Sequence, residues 1–338
     1  MKRILGIMMG LLLVVNVFGQ DDKVALLISE GTELHDQGKY DDAIAKYKAA
    51  LDIDKNSSVA NYEISFTYMV TGKYDEAIAY SKKAIDRNDD IQQGAYIVLG
   101  TSWDMKGKPE KAIEAYLDGL KKFPQSSLLS YNLALTLFNQ KEYDRAEDAA
   151  IQAIFNNPNH ASSHMVLSSI MQAKGLRVKS ILPLYYFLML EPNSKRSASQ
   201  YALLLQKLGQ GVVQKDEKNI SVSLPSFSTN SDSFSAAEMM VSLQAATRYT
   251  EENTGKSDME FFKESTPKIF RMLSELKKDS KGFWWDLYVT KFQNLEQAGC
   301  CEAFCYYISQ SDSTKGSKSW IFENPGKLQE FMNWMNTK

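Results

Sequence analysis

The chain has 338 residues, 44% of them apolar, with 39 Lys/Arg against 41 Asp/Glu, which is enough material for two domains with ordinary globular cores. Residues 20–210 carry 22 basic and 24 acidic side chains, and residues 211–338 carry 15 and 17. Neither part has the basic excess that a nucleic-acid partner requires, so composition argues against nucleic acid as the main partner.

Residues 1–19 read as a signal peptide. Lys2 and Arg3 form the charged start and Ile4–Val17 the apolar run, with a Val17-Phe18-Gly19 cleavage pattern before Gln20. The run is short for a membrane span and Asn16 interrupts it, so no stable span is expected after cleavage. No cysteine lies near the cut, and a lipid-modified N-terminus is not indicated. The segment has the form of a Gram-negative export signal, and the expected location is periplasmic or secreted.

From residue 20 to 210 a glycine returns at a fixed interval. Gly38, Gly72, Gly107, Gly175 and Gly209 lie 34, 35, 68 and 34 residues apart, with Lys141 at the skipped place. Seven residues before each comes a small residue: Gly31, Ser65, Gly100, Ala134, Ser168 and Ala202. Five after comes another: Ala43, Ala77, Ala112, Ala146 and Ser180. A period of this length marks a solenoid of helical hairpins, in which small residues let paired helices approach and the glycine makes the turn. Large apolar residues fill between, and Pro124, Pro158 and Pro192 close three of the units.

The pattern resembles the tetratricopeptide repeat, down to Tyr40 and Tyr74 two residues past the turn glycine and the Asp-Asp-Ala or Asp-Glu-Ala that follows. The resemblance covers about residues 24–210 as five hairpins plus a capping helix at 195–208. It implies a helical-hairpin solenoid for that stretch; with the helix signals of the C-terminal part, in which no family is recognised, the expected fold is all-α, a solenoid followed by a small C-terminal helical domain. The fifth hairpin departs, with Arg177 where tyrosine is expected and Phe187 where alanine is expected, as if the array were ending there.

The same resemblance implies a concave groove lined by the first helix of each hairpin, which holds protein or peptide partners. Its residues are Tyr62, Phe66 and Met69, then Ile97, Thr101 and Asp104, then Tyr131, Leu135 and Phe138. Their helical spacing does put each trio on one face. The lysine, asparagine and arginine that clamp a C-terminal carboxylate in chaperone-binding members are absent at these places, so an apolar stripe is expected instead.

After Gly211 the composition shifts. Residues 211–234 read as a linker or extended crossover, with Ile220–Leu224 alternating like one strand and Pro225–Ser235 rich in serine. Residues 235–338 form the expected helical domain. Ser235 with Glu238 and Ser257 with Glu260 have capping-box spacing, and Thr266-Pro267 predicts a further helix start. The stretch 283–295, holding Trp284, Tyr288 and Phe292, predicts a core helix, and another follows Asn324-Pro325.

Catalytic and metal chemistry is thin. Asp52–Glu63 has the oxygen spacing of a calcium loop, but Ser57 stands where glycine is needed and the stretch falls on a hairpin junction. His160 and His164 are four apart without a metalloprotease glutamate, and two Ser-x-x-Lys matches (265–268 and 274–277) lack companion motifs. Cys300, Cys301 and Cys305 read first as buried free thiols, then as a redox pair, and last as a metal site. No cofactor is implied. The reading is a non-catalytic exported scaffold that holds a protein or peptide. The alternatives are an enzyme centred on Trp284, Trp285, Asp286 and the cysteines, and a carbohydrate or small-ligand receptor stacking on Tyr62, Tyr131 or Trp284.

Overall fold

A computed structural model describes residues 19, 21–86, 91–215, 219–223, 234–313 and 316–337. The expected leader, apart from Gly19, and most of the serine-rich stretch lie outside the described residues. The fold is all-α, with one short antiparallel hairpin among the described residues. The chain divides into two compact units, Met1–Asn156 and Asn157–Lys338. Sequence periodicity groups the helices up to residue 210, whereas packing groups those from residue 157 with the C-terminal helices.

The first unit is four helical hairpins: α1 (21–36) with α2 (Tyr40–Ile53), α3 (Ser58–Val70) with α4 (Tyr74–Ile85), α5 (Gln92–Met105) with α6 (Pro109–Lys122), and α7 (Ser127–Asn139) with α8 (Tyr143–Asn156). Ser57 and Ser126 cap α3 and α7 by accepting from the amides of Ala60 and Leu129. The Asp52–Glu63 stretch is such a junction, with Asp54 accepting from the Asn56 amide and Ser57 serving as the cap. Inside a hairpin, contact is set by a glycine under a tyrosine. A methyl group on Gly100 would lie 2.3 Å from the Tyr116 ring and one on Gly31 would lie 2.4 Å from the Tyr47 ring. The tyrosine hydroxyls then reach the threonine next to each glycine, Thr101 at 3.1 Å and Thr32 at 3.5 Å.

Consecutive first helices also touch: α3 packs on α5 and α5 on α7, while no comparable contact joins α2 to α4, α4 to α6 or α6 to α8. The row of first helices is therefore the inner, shorter side of the curved stack. Gly38, Gly72 and Gly107 turn with φ of 75°, 76° and 68°, and Lys141 does the same work with φ 62°. The amides of Lys141 and Glu142 close the end of α7 on Phe138 and Leu137, as those of Gly38 and Lys39 close α1. Gly209, aligned with these by spacing, has φ −85° and only ends a helix.

The second unit is built around α10 (Arg177–Leu190), buried at nearly every position from Arg177 to Met189. It packs against α9 (Ala161–Ala173), α11 (Ser197–Leu208), α12 (Phe234–Ala246), α15 (Cys301–Ile308) and a π-helical turn, Trp284–Val289. Tyr185 sits among Phe270, Phe292 and Phe304 with centroids 5.1, 5.7 and 5.9 Å away, its hydroxyl 3.2 Å from that of Thr266. Helices α13 (Asp258–Lys277), α14 (Thr290–Gln297), α16 (Ser317–Glu323) and α17 (Pro325–Asn336) complete it.

Local expectations are met unevenly here. The Ser257–Glu260 capping box forms at α13. Ser235, however, lies inside the first turn of α12, and Glu238 turns away from the cap toward Arg177. Thr266-Pro267 starts no helix: α13 runs through it, holding Ile269, Phe270 and Leu273 in the core on the same turn sequence as Met259 and Phe262. Ile220–Val222 is a strand (β2), and its partner β1, Val212–Gln214, went unread because three residues carry no periodicity.

The turn at residue 141 yields a direct test. Lys141→Gly relieves a left-handed backbone and is expected to stabilise the first unit by about 1 kcal/mol, whereas Gly107→Ala should lose about as much, measured by denaturant unfolding.

Candidate functional site

The residues expected to line the groove are all in the first unit, and the structure brings them together on the first-helix row. Tyr62, Phe66, Met69, Ile97, Thr101, Tyr131, Leu135 and Phe138 are each half-buried. None is sealed in the core, and none stands free. Tyr62 lies over Gly94 of α5, where a methyl group would come within 2.8 Å of its ring. Phe66 stacks between Tyr62, 6.3 Å away, and His35, 5.3 Å away. Phe138 leans on Tyr143 at 6.0 Å. The hydroxyl of Thr101 is engaged with Tyr116.

Two residues that the sequence reading left out are more open. Val70 is 47% exposed and Met105 60%, one helical turn beyond Phe66 and Thr101 on the same side. Their i, i+4, i+8 spacing from Tyr62 and Ile97 was the signal that could have found them.

Polar bridges, each spanning 32 residues, join neighbouring first helices. Thr136 donates to Asp104 at 3.1 Å, and Thr67 lies 2.9 Å from His35 Nδ1. The one Thr67 hydroxyl proton is given to the Glu63 carbonyl, so His35 Nδ1 carries the hydrogen and donates. Glu63 itself is half-buried on α3. Burial, and secondarily the Asp36 carboxylate, raise its pKa above the ordinary carboxylate value.

The second unit holds the residues that make the fifth hairpin depart from the repeat. Arg177 is 7% exposed. Its Nε donates to Glu238 Oε2 at 3.0 Å, Nη1 to the Gln210 carbonyl at 2.8 Å, and Nη2 to Ser242 Oγ at 2.7 Å. The other Glu238 oxygen accepts from the Val178 amide at 2.6 Å. His164 is fully buried. Its Nε2 donates to the Pro158 carbonyl at 2.8 Å, which leaves Nδ1 to accept from the Tyr288 hydroxyl at 2.7 Å, and the ring stacks on Tyr186 at 4.3 Å. Burial is the main cause that lowers its pKa to about 4. Both groups are structural ties between the hairpin α9/α10 and later helices of its own unit.

The cysteines are buried and free. Burial pushes the Cys301 thiol up to about 12 and holds Cys305 well above the ordinary range, which makes them poor nucleophiles. Asp286, inside the π-helical turn, is exposed and accepts from the amide of Gly282 ahead of it at 2.8 Å. Trp285 is buried against Phe234 at 4.5 Å. Among the described residues no three His, Cys, Asp or Glu side chains converge as a metal site would require. A part-open cavity of about 310 Å³ lies between α11, α12 and α13, lined by Leu205, Val241, Phe261 and Phe262 with Arg248 and Asp258. Arg248 is engaged there with the Lys256 carbonyl and Asp258.

Residues 34–95 and 105–161 match the tetratricopeptide-repeat family. Among solved structures, a tetratricopeptide-repeat protein of Thermus thermophilus is 21% identical, with TM-score 0.46 over 54% of this chain and 98% of its own. A Pseudomonas aeruginosa pilF structure is 16% identical, with TM-score 0.49 over 68% and 90%. MamA from Desulfovibrio magneticus is 17% identical, with TM-score 0.44 over 50% and 96%. No curated protein sequence matches the chain.

Two measurements follow from the second unit. Glu238→Gln leaves Arg177 buried without its counter-charge and with only one of the two carboxylate acceptors replaced in kind, and is expected to cost about 3 kcal/mol in unfolding free energy. An unfolded histidine titrates near 6.5, so as pH falls the unfolded chain takes up the proton before folded His164 does. Stability is therefore lost from about pH 6.5 down toward pH 4 and levels off below, by on the order of 3 kcal/mol. His164→Gln should remove that part of the slope in urea unfolding measured across this range.

Proposed function

We propose, from the premise that residues 34–161 are a tetratricopeptide-repeat segment, that the first-helix face of the first unit holds a protein or peptide partner. The chain in this reading binds rather than catalyses, and residues 1–19 export it to the periplasm or beyond. One observation carries the docking reading: apolar side chains from three successive first helices remain part-exposed on the inner side of a curved stack, with Val70 and Met105 the most open. Part-exposed aromatics gathered on one face mark an interface, and burying them supplies about 25 cal/mol per Å² before ordering costs.

A binding face of this kind concentrates its energy in a few aromatic anchors. Phe66→Ala with Phe138→Ala is expected to weaken capture of the partner by roughly 100-fold while thermal unfolding stays cooperative. Unchanged recovery of crosslinked partner from the native envelope would remove the groove as the binding site. Export has its own check: the chain purified from the envelope fraction should begin at Gln20, by intact mass.

A further inference from the structure

Resting on that docking reading, we infer that the occupant of the first-helix face is an extended or helical polypeptide segment in which Lys or Arg side chains are set among apolar ones. The charge carried by the first helices is predominantly acidic. Helices α3, α5 and α7 carry only two charged residues, Glu63 and Asp104, and α1 adds Asp21, Asp22, Glu30, Glu33 and Asp36 against the single Lys23. Every other described Lys and Arg of the first unit lies on a second helix or in a junction. Several of these are already engaged, Lys73 with Asp41, Lys121 with Asp118 and Arg145 with Glu142, and Lys46 of α2 pairs Glu30, which leaves Glu63 and Asp104 as the acids beside the apolar strip.

Glu63 and Asp104 have no ion pair among the described residues; Asp104 accepts from the Thr136 hydroxyl. Each stands beside the apolar strip: Glu63 next to Tyr62 and one turn from Phe66, Asp104 next to Met105. An aromatic ring beside a carboxylate is the setting that takes a cation, with the ring covering the aliphatic stem and the carboxylate the charged head. Burial of Glu63 strengthens the demand, because a desolvated carboxylate gains most from a neighbouring positive charge. The field around the face has the same sign. Residues 20–156 hold 23 Asp/Glu against 16 Lys/Arg, while residues 157–338 hold 18 against 21. An acidic excess of this kind steers cationic segments toward the first unit and repels acidic ones. An apolar segment without charge would leave Glu63 further desolvated and unpaired.

The test pans a random-peptide phage library on the full-length chain, with the Phe66→Ala/Phe138→Ala variant as the subtracting control. Peptides that depend on the two phenylalanines are expected to be rich in Lys or Arg flanked by apolar residues. The consensus peptide, followed by fluorescence anisotropy, should bind about tenfold more weakly in 0.5 M salt and to Glu63→Gln/Asp104→Asn. Replacing its basic residues by norleucine should cause the same loss without altering the protein. Phenylalanine-dependent peptides with no basic preference, or with an acidic one, would overturn the charge inference and leave the docking face standing. A library that yields no phenylalanine-dependent peptide would bring down the docking reading itself.

Discussion

A helix that is apolar all the way round has to be covered all the way round, and α10 is such a helix. In a repeating hairpin the second helix buries one stripe and leaves another to solvent, as α6 and α8 do with their exposed charged side chains. α10 has no such stripe: only Lys179 interrupts its buried run before Leu190. Besides α9, helices α11, α12 and α15 and the π-helical turn supply the missing cover, with rings from α13 and α14. Tyr185 accounts for Phe270, Phe292 and Phe304, and Arg177 for Glu238 and the Gln210 carbonyl. His164 on the paired helix accounts for Tyr288. The features that spoil the fifth hairpin as a repeat are the ones that make it a core.

The first unit obeys a different constraint, the closeness of two helices in a hairpin. Glycine under tyrosine sets that distance in two of the four hairpins, and the hydroxyl of the tyrosine then fixes the neighbouring threonine. Because the first helices are the ones in mutual contact, the stack curves with them on the inside. Apolar side chains such as Tyr62 and Phe66 end up half-covered by one another, which keeps them ordered without hiding them. An ordered apolar strip loses little side-chain entropy on docking, and that favours its use as a binding face over a loose one.

Charge follows the same division. Counted to residue 210, acids and bases nearly balance, and the array looks neutral. Six of the bases in that count, Lys174, Arg177, Lys179, Lys195, Arg196 and Lys207, belong to the second unit as it packs. Moving the boundary to residue 156 uncovers an acidic excess on the first unit that the linear count had averaged away.

The sequence by itself determined the repeat, the turns at Gly38, Gly72, Gly107, Lys141 and Gly175 though not at Gly209, and the helical class, because small residues and glycines recur at the spacing of paired helices. It also determined which side chains share the first-helix face, since that depends on periodicity alone. What it could not determine was where Arg177, Glu238, His164 and Tyr288 go. These contacts join residues 61 to 124 positions apart, and no local period encodes them. The capping box at Ser235 and the helix start at Thr266-Pro267 were legible as local signals, yet tertiary contacts outweighed both. Only the tertiary structure decided that the last hairpin is a core rather than an end, because burial is a property of what surrounds a residue and not of the residue itself.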